Sequence, residues 1–166
     1  SAVLLKAPDA ARPAHAEGAG ALCTFAVGEG RRIREFEAEV LRTFDGEFTY
    51  EAGYIAGGVG HLGPSALLKY REIHIVVTTF GAYEVGDEQY VAAGIDCDSL
   101  RAVSVKNPMN FRARFPQRSS AYVLATPGDT SPDLRALAWR HKARPFFPLD
   151  DQDTPIFLHQ ADLGDA

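Results

Sequence analysis

Apolar and polar positions along this chain mostly repeat every two residues, in short runs punctuated by glycine and proline. Glu35, Glu37 and Glu39 alternate with Phe36, Ala38 and Val40, the period of a half-buried strand with the carboxylates on its solvated face. Asp45-Gly46 follows, a pair that supplies the positive φ of tight turns, and Phe48 and Tyr50 continue the alternation. The pattern predicts a hairpin from Glu35 to Glu51. A second hairpin is predicted from Ala66–Tyr70 and Ile73–Thr79, turning near Arg71-Glu72. Further strands are predicted at Ala2–Leu5, at Leu22–Val27 before Gly28-Glu-Gly30, at Leu100–Val105 and at Ala121–Ala125.

Helical signals are shorter. Pro8–Glu17 is alanine-rich and stops at Gly18, but Pro13 removes a backbone donor and crowds the preceding turn, which predicts a short or broken helix. Gly86–Ala93 can form a short helix ended by Gly94. Pro108–Phe115 places Phe111 and Phe115 four apart on one helical face. Ser131-Pro-Asp is a helix start, with serine as cap and proline in the first turn. Hairpins outnumber helices. The expected class is α+β, a mainly antiparallel or mixed sheet built from hairpins, with three or four short helices.

Composition narrows the function classes. With 166 residues and 46% hydrophobic content, the chain can bury a core without disulfides or metals. A net charge of -5 argues against nucleic acid as a partner. The basic run Arg135, Arg140, His141, Lys142 and Arg144 around Trp139 reads instead as a charged surface or an interdomain contact. No apolar run is long enough to span a bilayer, and a cytoplasmic setting is expected. Cys23 and Cys97 sit among apolar neighbours without metal-like spacing and read as reduced, buried thiols. The chain opens on Ser1-Ala-Val-Leu-Leu5 as though in mid-strand, which suggests a piece of a longer polypeptide.

The residues that could carry chemistry are few. His15, His61, His74, His141 and His159 form no His-x-His or His-x-x-x-His pair and none neighbours a cysteine, so no zinc site is predicted. Gly53–Pro64 holds five glycines around His61, a density that implies unusual dihedrals or a close approach. His61 either holds this loop or serves a site. The order strand, glycines, strand does not match a phosphate loop or a dinucleotide fingerprint. Lys106-Asn-Pro-Met-Asn-Phe-Arg112 follows a strand and opens a helix; its two cations could meet a carboxylate or stay on the surface. No serine or cysteine lies in a nucleophile motif. Thr126-Pro-Gly-Asp-Thr-Ser-Pro-Asp-Leu-Arg135, leading to Arg144-Pro-Phe-Phe-Pro-Leu-Asp150, is the most distinctive stretch and holds no ligand set or nucleophile.

These segments together resemble the C-terminal domain of the MlrC-like metallopeptidases, the family named for microcystin degradation. Ala16-Glu-Gly-Ala-Gly20, Gly60-His-Leu-Gly-Pro-Ser-Ala-Leu-Leu68, Ile75-Val-Val-Thr-Thr79, Val103–Ala113 and the stretch from Thr126 to Asp150 carry the likeness. The departures are polar: His61 stands where the family has aspartate, Phe80-Gly81 replaces paired arginines, and Asn110 replaces histidine. The resemblance implies a domain over residues 1–150, followed by an acidic tail over 151–166. It implies a zinc-dependent hydrolase of linear peptides whose metal is held by an N-terminal catalytic domain of the same polypeptide. No cofactor is expected here, and the isolated domain is expected to be inactive. Its role would be to support the catalytic domain and line its cleft. The expected substrate-binding residues are His61, Lys106, Asn107, Asn110 and Arg112, with a small peptide as substrate and a homo-oligomer compatible with the pattern. The alternative is a non-catalytic ligand-binding or assembly module reusing the fold.

Overall fold

The computed structural model describes residues 1–27, 33–51 and 53–107, together with Phe111, Phe115, residues 120–124, Leu137, Trp139 and Arg140. Two compact units divide the chain, Ser1–Ala121 and Tyr122–Ala166. Every regular element described belongs to the first. In the second, the Trp139 N–H donates to the Leu137 carbonyl at 3.0 Å.

The first unit is built on the hairpin of β6 (Ser65–Tyr70) and β7 (Ile73–Thr78). A two-residue turn joins them, with Tyr70 opposite Ile73 and Arg71 at φ 54°, as the sequence predicts. Most of its residues are buried, and they alternate between two apolar clusters. Ala66, Leu68, Ile75 and Val77 face one side, and Leu67 and Val76 the other. β1 (Ala2–Lys6) adds in parallel to β7, and β3 (Arg34–Phe44) antiparallel to β6. β2 (Leu22–Val27) pairs with β3, which completes the order β1-β7-β6-β3-β2. The sheet is mixed and mainly antiparallel, and the α+β reading holds.

α1 (Pro8–Glu17) covers the first face with Ala10, Ala11 and Ala14, whose small side chains let the helix lie close to the sheet. Of the two expected outcomes, short or broken, it is short, and it runs unbroken through Pro13. Pro13 and Asp9, whose carbonyl loses its partner, are both on the exposed side, so water can replace the missing bond. The His15 Nδ1–H donates to the Ser65 carbonyl at 3.1 Å and ties helix to hairpin. α2 (Glu88–Ala92) brings Tyr90 to the second face, where Ala93, Ile95 and Cys97 join it.

The predicted Glu35–Glu51 hairpin does not form. β3 takes β2 and β6 as neighbours, while β4 (Glu47–Thr49) leaves for a separate two-stranded sheet with β5 (Val59–His61). Asp45-Gly46 is the step between the two sheets. Gly46 has φ 77°, and its carbonyl accepts the Leu62 N–H at 2.8 Å. The predicted strand Leu100–Val105 shrinks to a single parallel bridge between Val103 and Ala2. Residues 121–124 carry no ladder, and Tyr122, Val123 and Leu124 are exposed, so the alternation there has no partner to pair with among the described residues. The Phe115 N–H donates to the Phe111 carbonyl at 2.9 Å, the spacing of a helical turn. The rest of Pro108–Phe115, the Ser131-Pro start and the boundary at Asp150 lie outside the described residues.

A Cβ at Gly46 would overlap the Gly63 backbone and Leu62 Cβ, whereas one at Gly57 (φ 84°) meets nothing within 4 Å. Gly57→Ala should therefore cost only the left-handed strain of about 1–2 kcal/mol. Gly46→Ala adds overpacking and should cost about 3 kcal/mol or more, read as the difference in urea midpoints.

Candidate functional site

The loop that leaves the C-terminal end of β7 carries Glu84, which bonds to two of the sequence-predicted residues, Lys106 and Asn107. Three buried hydroxyls fix that end. Thr78 Oγ1 donates to the Phe80 carbonyl at 2.8 Å, Thr79 Oγ1 to the Pro64 carbonyl at 2.6 Å, and Ser65 Oγ to the Gly63 carbonyl at 2.7 Å. The Phe80 N–H donates to the Leu62 carbonyl at 2.7 Å. The chain then runs through Tyr83 and Glu84 to Val85, which is buried with Phe48, Tyr50 and Leu62.

The glycine-rich segment is shaped by close approach, but to this chain's own side chains. The Phe48 ring lies against Gly60, its cross-strand partner, in the space a Cβ would fill. Val85 crowds Gly53, and Phe80 crowds Gly63. Within the expected loop, Val59–His61 form strand β5, preceded by a 3-10 turn at Gly53–Ile55. His61 ends β5, and its Nδ1 stands 3.8 Å from Glu47 on the opposite strand, with side chains 66% and 70% exposed. An ion pair so open to water contributes little.

Lys106 and Asn107 are held by one residue that sequence reasoning missed. Glu84 Oε2 accepts the Lys106 backbone N–H at 2.7 Å, and the Glu84 carbonyl accepts the Asn107 Nδ2–H at 2.8 Å. Burial pushes the Glu84 carboxyl above its ordinary range, opposed by the Lys106 N–H bond and the Lys106 charge. Upstream, the Tyr90 hydroxyl donates to the Ser104 carbonyl at 2.6 Å, and burial keeps this phenol protonated. Side chains thus satisfy a backbone that a longer strand would have paired. That explains why the predicted Leu100–Val105 strand is so short. Tyr83 also reaches the glycine-rich segment: its ring lies 6.2 Å from that of Tyr54, which is 80% exposed. The only available sequence signal for Glu84 was an acid in a loop beside a tyrosine. Asn110 and Arg112 lie outside the described residues.

A shallow groove of about 240 Å³ lies beside β4 and α2, with Glu47, Glu51, Asp87 and Glu88 in its wall. These carboxylates serve the fold in part, since Glu88 Oε1 accepts the Glu51 N–H at 3.0 Å. Among the described residues, no three His, Cys, Asp or Glu side chains are grouped to hold a metal ion. None of the described helices is long and apolar enough to cross a membrane. Cys23 is half-buried and Cys97 is buried.

The family model of the MlrC C-terminus matches residues 1–141. The crystal structure of a "putative metallopeptidase" from Mesorhizobium sp. BNC1 is similar over 93% of this chain, with a TM-score of 0.77 and 25% identity. The match covers 32% of that protein, so this chain spans about a third of its length. No curated protein matches the chain.

Glu84 gives the geometry a pH signature. A carboxyl whose pKa is higher folded than unfolded binds more protons in the native state within that window. Its contribution to stability is present at acid pH and is lost as pH rises through the folded value. Glu84→Gln removes this titration. The stability of Glu84→Gln relative to wild type should therefore rise between pH 4 and pH 7, measured by urea unfolding at each pH.

Proposed function

This chain belongs to the MlrC C-terminus family, and we propose that it is the C-terminal domain of a zinc-dependent metallopeptidase that hydrolyses linear peptides, forming one wall of the catalytic cleft. The observation that carries this reading is the placement of Lys106. Its residue lies within the family match and is exposed, while Glu84 fixes its backbone. An ammonium carried on an anchored backbone is suited to a peptide carboxylate, because a charge-assisted bond to it gains most when little motion must be frozen.

Asn107 is fixed with it through Glu84, and Asn110, Arg112 and His61 are assigned the orientation of other polar groups on the substrate. The similarity to a protein about three times as long supports a partner domain in the same polypeptide. By the family likeness the metal is assigned to that N-terminal domain, and no step is derived through it. Zinc supplies Lewis acidity and an activated water where it is bound. This domain's part is to bind and orient.

The test uses the chain joined to the remainder of its polypeptide. That protein should hydrolyse linear peptides and lose activity on chelation. Lys106→Ala should raise KM about 10-fold or more, the loss of one hydrogen bond to a charged group, with a smaller effect on kcat. Absence of hydrolysis in the metal-loaded protein would replace this reading with a non-catalytic binding module.

A further inference from the structure

We propose that Glu84 is a positioning residue for the substrate-facing segment, setting where the Lys106 ammonium stands through a two-point grip on Lys106 and Asn107. The inference rests on the reading of Lys106 as a substrate-binding residue. It assigns Glu84 a role that neither sequence pattern nor family likeness supplies.

Both bonds come from one residue and reach two consecutive ones. The carboxylate takes the Lys106 N–H, and the main-chain carbonyl takes the Asn107 amide. Such a grip fixes the direction of the chain as well as its distance. It also works only if Glu84 is itself immobile. Gln89 Nε2 donates to the carbonyl of the preceding Tyr83 at 3.1 Å, and the following Val85 is buried in the small core. Gln89 is buried on α2, so the loop is braced from behind by a helix whose Tyr90 packs on the main sheet.

The segment gripped by Glu84 is anchored on either side of this point. Upstream it is hydrogen-bonded to β1, with Ala2 N–H to the Ala102 carbonyl at 3.1 Å and Ser104 N–H to the Ala2 carbonyl at 3.0 Å. Tyr90 then holds Ser104. Ser104 and Lys106 are exposed and Val105 is half-buried, so apolar packing does little here. Downstream, Phe115 packs on the second apolar cluster. Glu84 is thus the last polar anchor described before the chain departs towards Asn110 and Arg112. A partly buried carboxylate is costly to keep in a loop, as the upward push on its pKa reflects. Its retention against that cost is accounted for by the grip.

The experiment compares wild type with Glu84→Ala and Glu84→Gln in the full-length protein, with a linear tetrapeptide bearing a free C-terminal carboxylate as probe. In wild type the Lys106 amide proton resonance should move with pH as Glu84 ionises. Glu84→Gln should abolish that movement while keeping an acceptor. In Glu84→Ala the Lys106 amide should exchange about 10-fold faster or more, the loss of one charge-assisted bond. The amides of Leu68 and Val76 should stay as protected as in wild type, which separates local release from failure to fold. KM for the tetrapeptide should rise about 10-fold in Glu84→Ala with kcat within about twofold, and Glu84→Gln should recover most of the loss. A Lys106 resonance insensitive to pH, or a KM unchanged in Glu84→Ala while Lys106→Ala raises it, overturns the inference. A KM unchanged in Lys106→Ala itself overturns the reading of the site.

Discussion

Burial of the β6–β7 hairpin on both faces is the constraint from which the rest of the first unit follows. Leu68, Val76 and Val77 are wholly buried, yet they point to opposite sides of the sheet. A strand pair that is apolar on both faces must be covered twice. The alanine face of α1 covers one side, and Tyr90, Ala93, Ile95 and Cys97 cover the other. Burial also removes water from Ser65, Thr78 and Thr79. Their hydroxyls then bond to neighbouring backbone and stiffen the end from which the functional loops depart.

That stiffness carries the candidate site. The path from Thr78 to α2 is held by hydroxyls, by Val85 and by Gln89, so Tyr83 and Glu84 are presented from a fixed loop. Glu84 connects this loop to the segment that follows the Ala2–Val103 bridge. The proposed peptide-binding role therefore depends on polar anchors laid over an apolar scaffold. Gly60, Gly53 and Gly63 serve the same scaffold, because Phe48, Val85 and Phe80 respectively occupy the space that side chains there would need.

The local pattern made much of this legible. Period-two alternation located β3, short apolar runs located β1 and β2, the paired runs around Arg71-Glu72 located β6 and β7, and Gly94 closed α2 as expected. Lys106 and Asn107 stood out as polar residues at a strand end, and the structure places both on a fixed turn. His61 was legible as a residue beside glycines, but its setting on a strand opposite Glu47 was not. Glu84 was hidden because an acid in a loop has no periodicity, and its partners lie 22 and 23 residues away. Pro13 left open whether the helix would be short or broken, because the penalty depends on whether the orphaned carbonyl can reach water, which only the packed helix decides.

What the sequence by itself determined is which residues face inward, where strands end, and the tight turn at Arg71-Glu72, since these depend on neighbours a few positions apart. Only the tertiary structure decided which strand lies beside which. Alternation tells a strand which face to bury and says nothing of its neighbour. β3 could have folded back on β4 through Asp45-Gly46. It pairs instead with β2 and β6, where its length and its apolar face are fully used, and the short β4 finds β5. By that choice Asp45-Gly46 became a crossing between sheets. The long-range contacts of a folded core likewise brought Glu84 to Lys106.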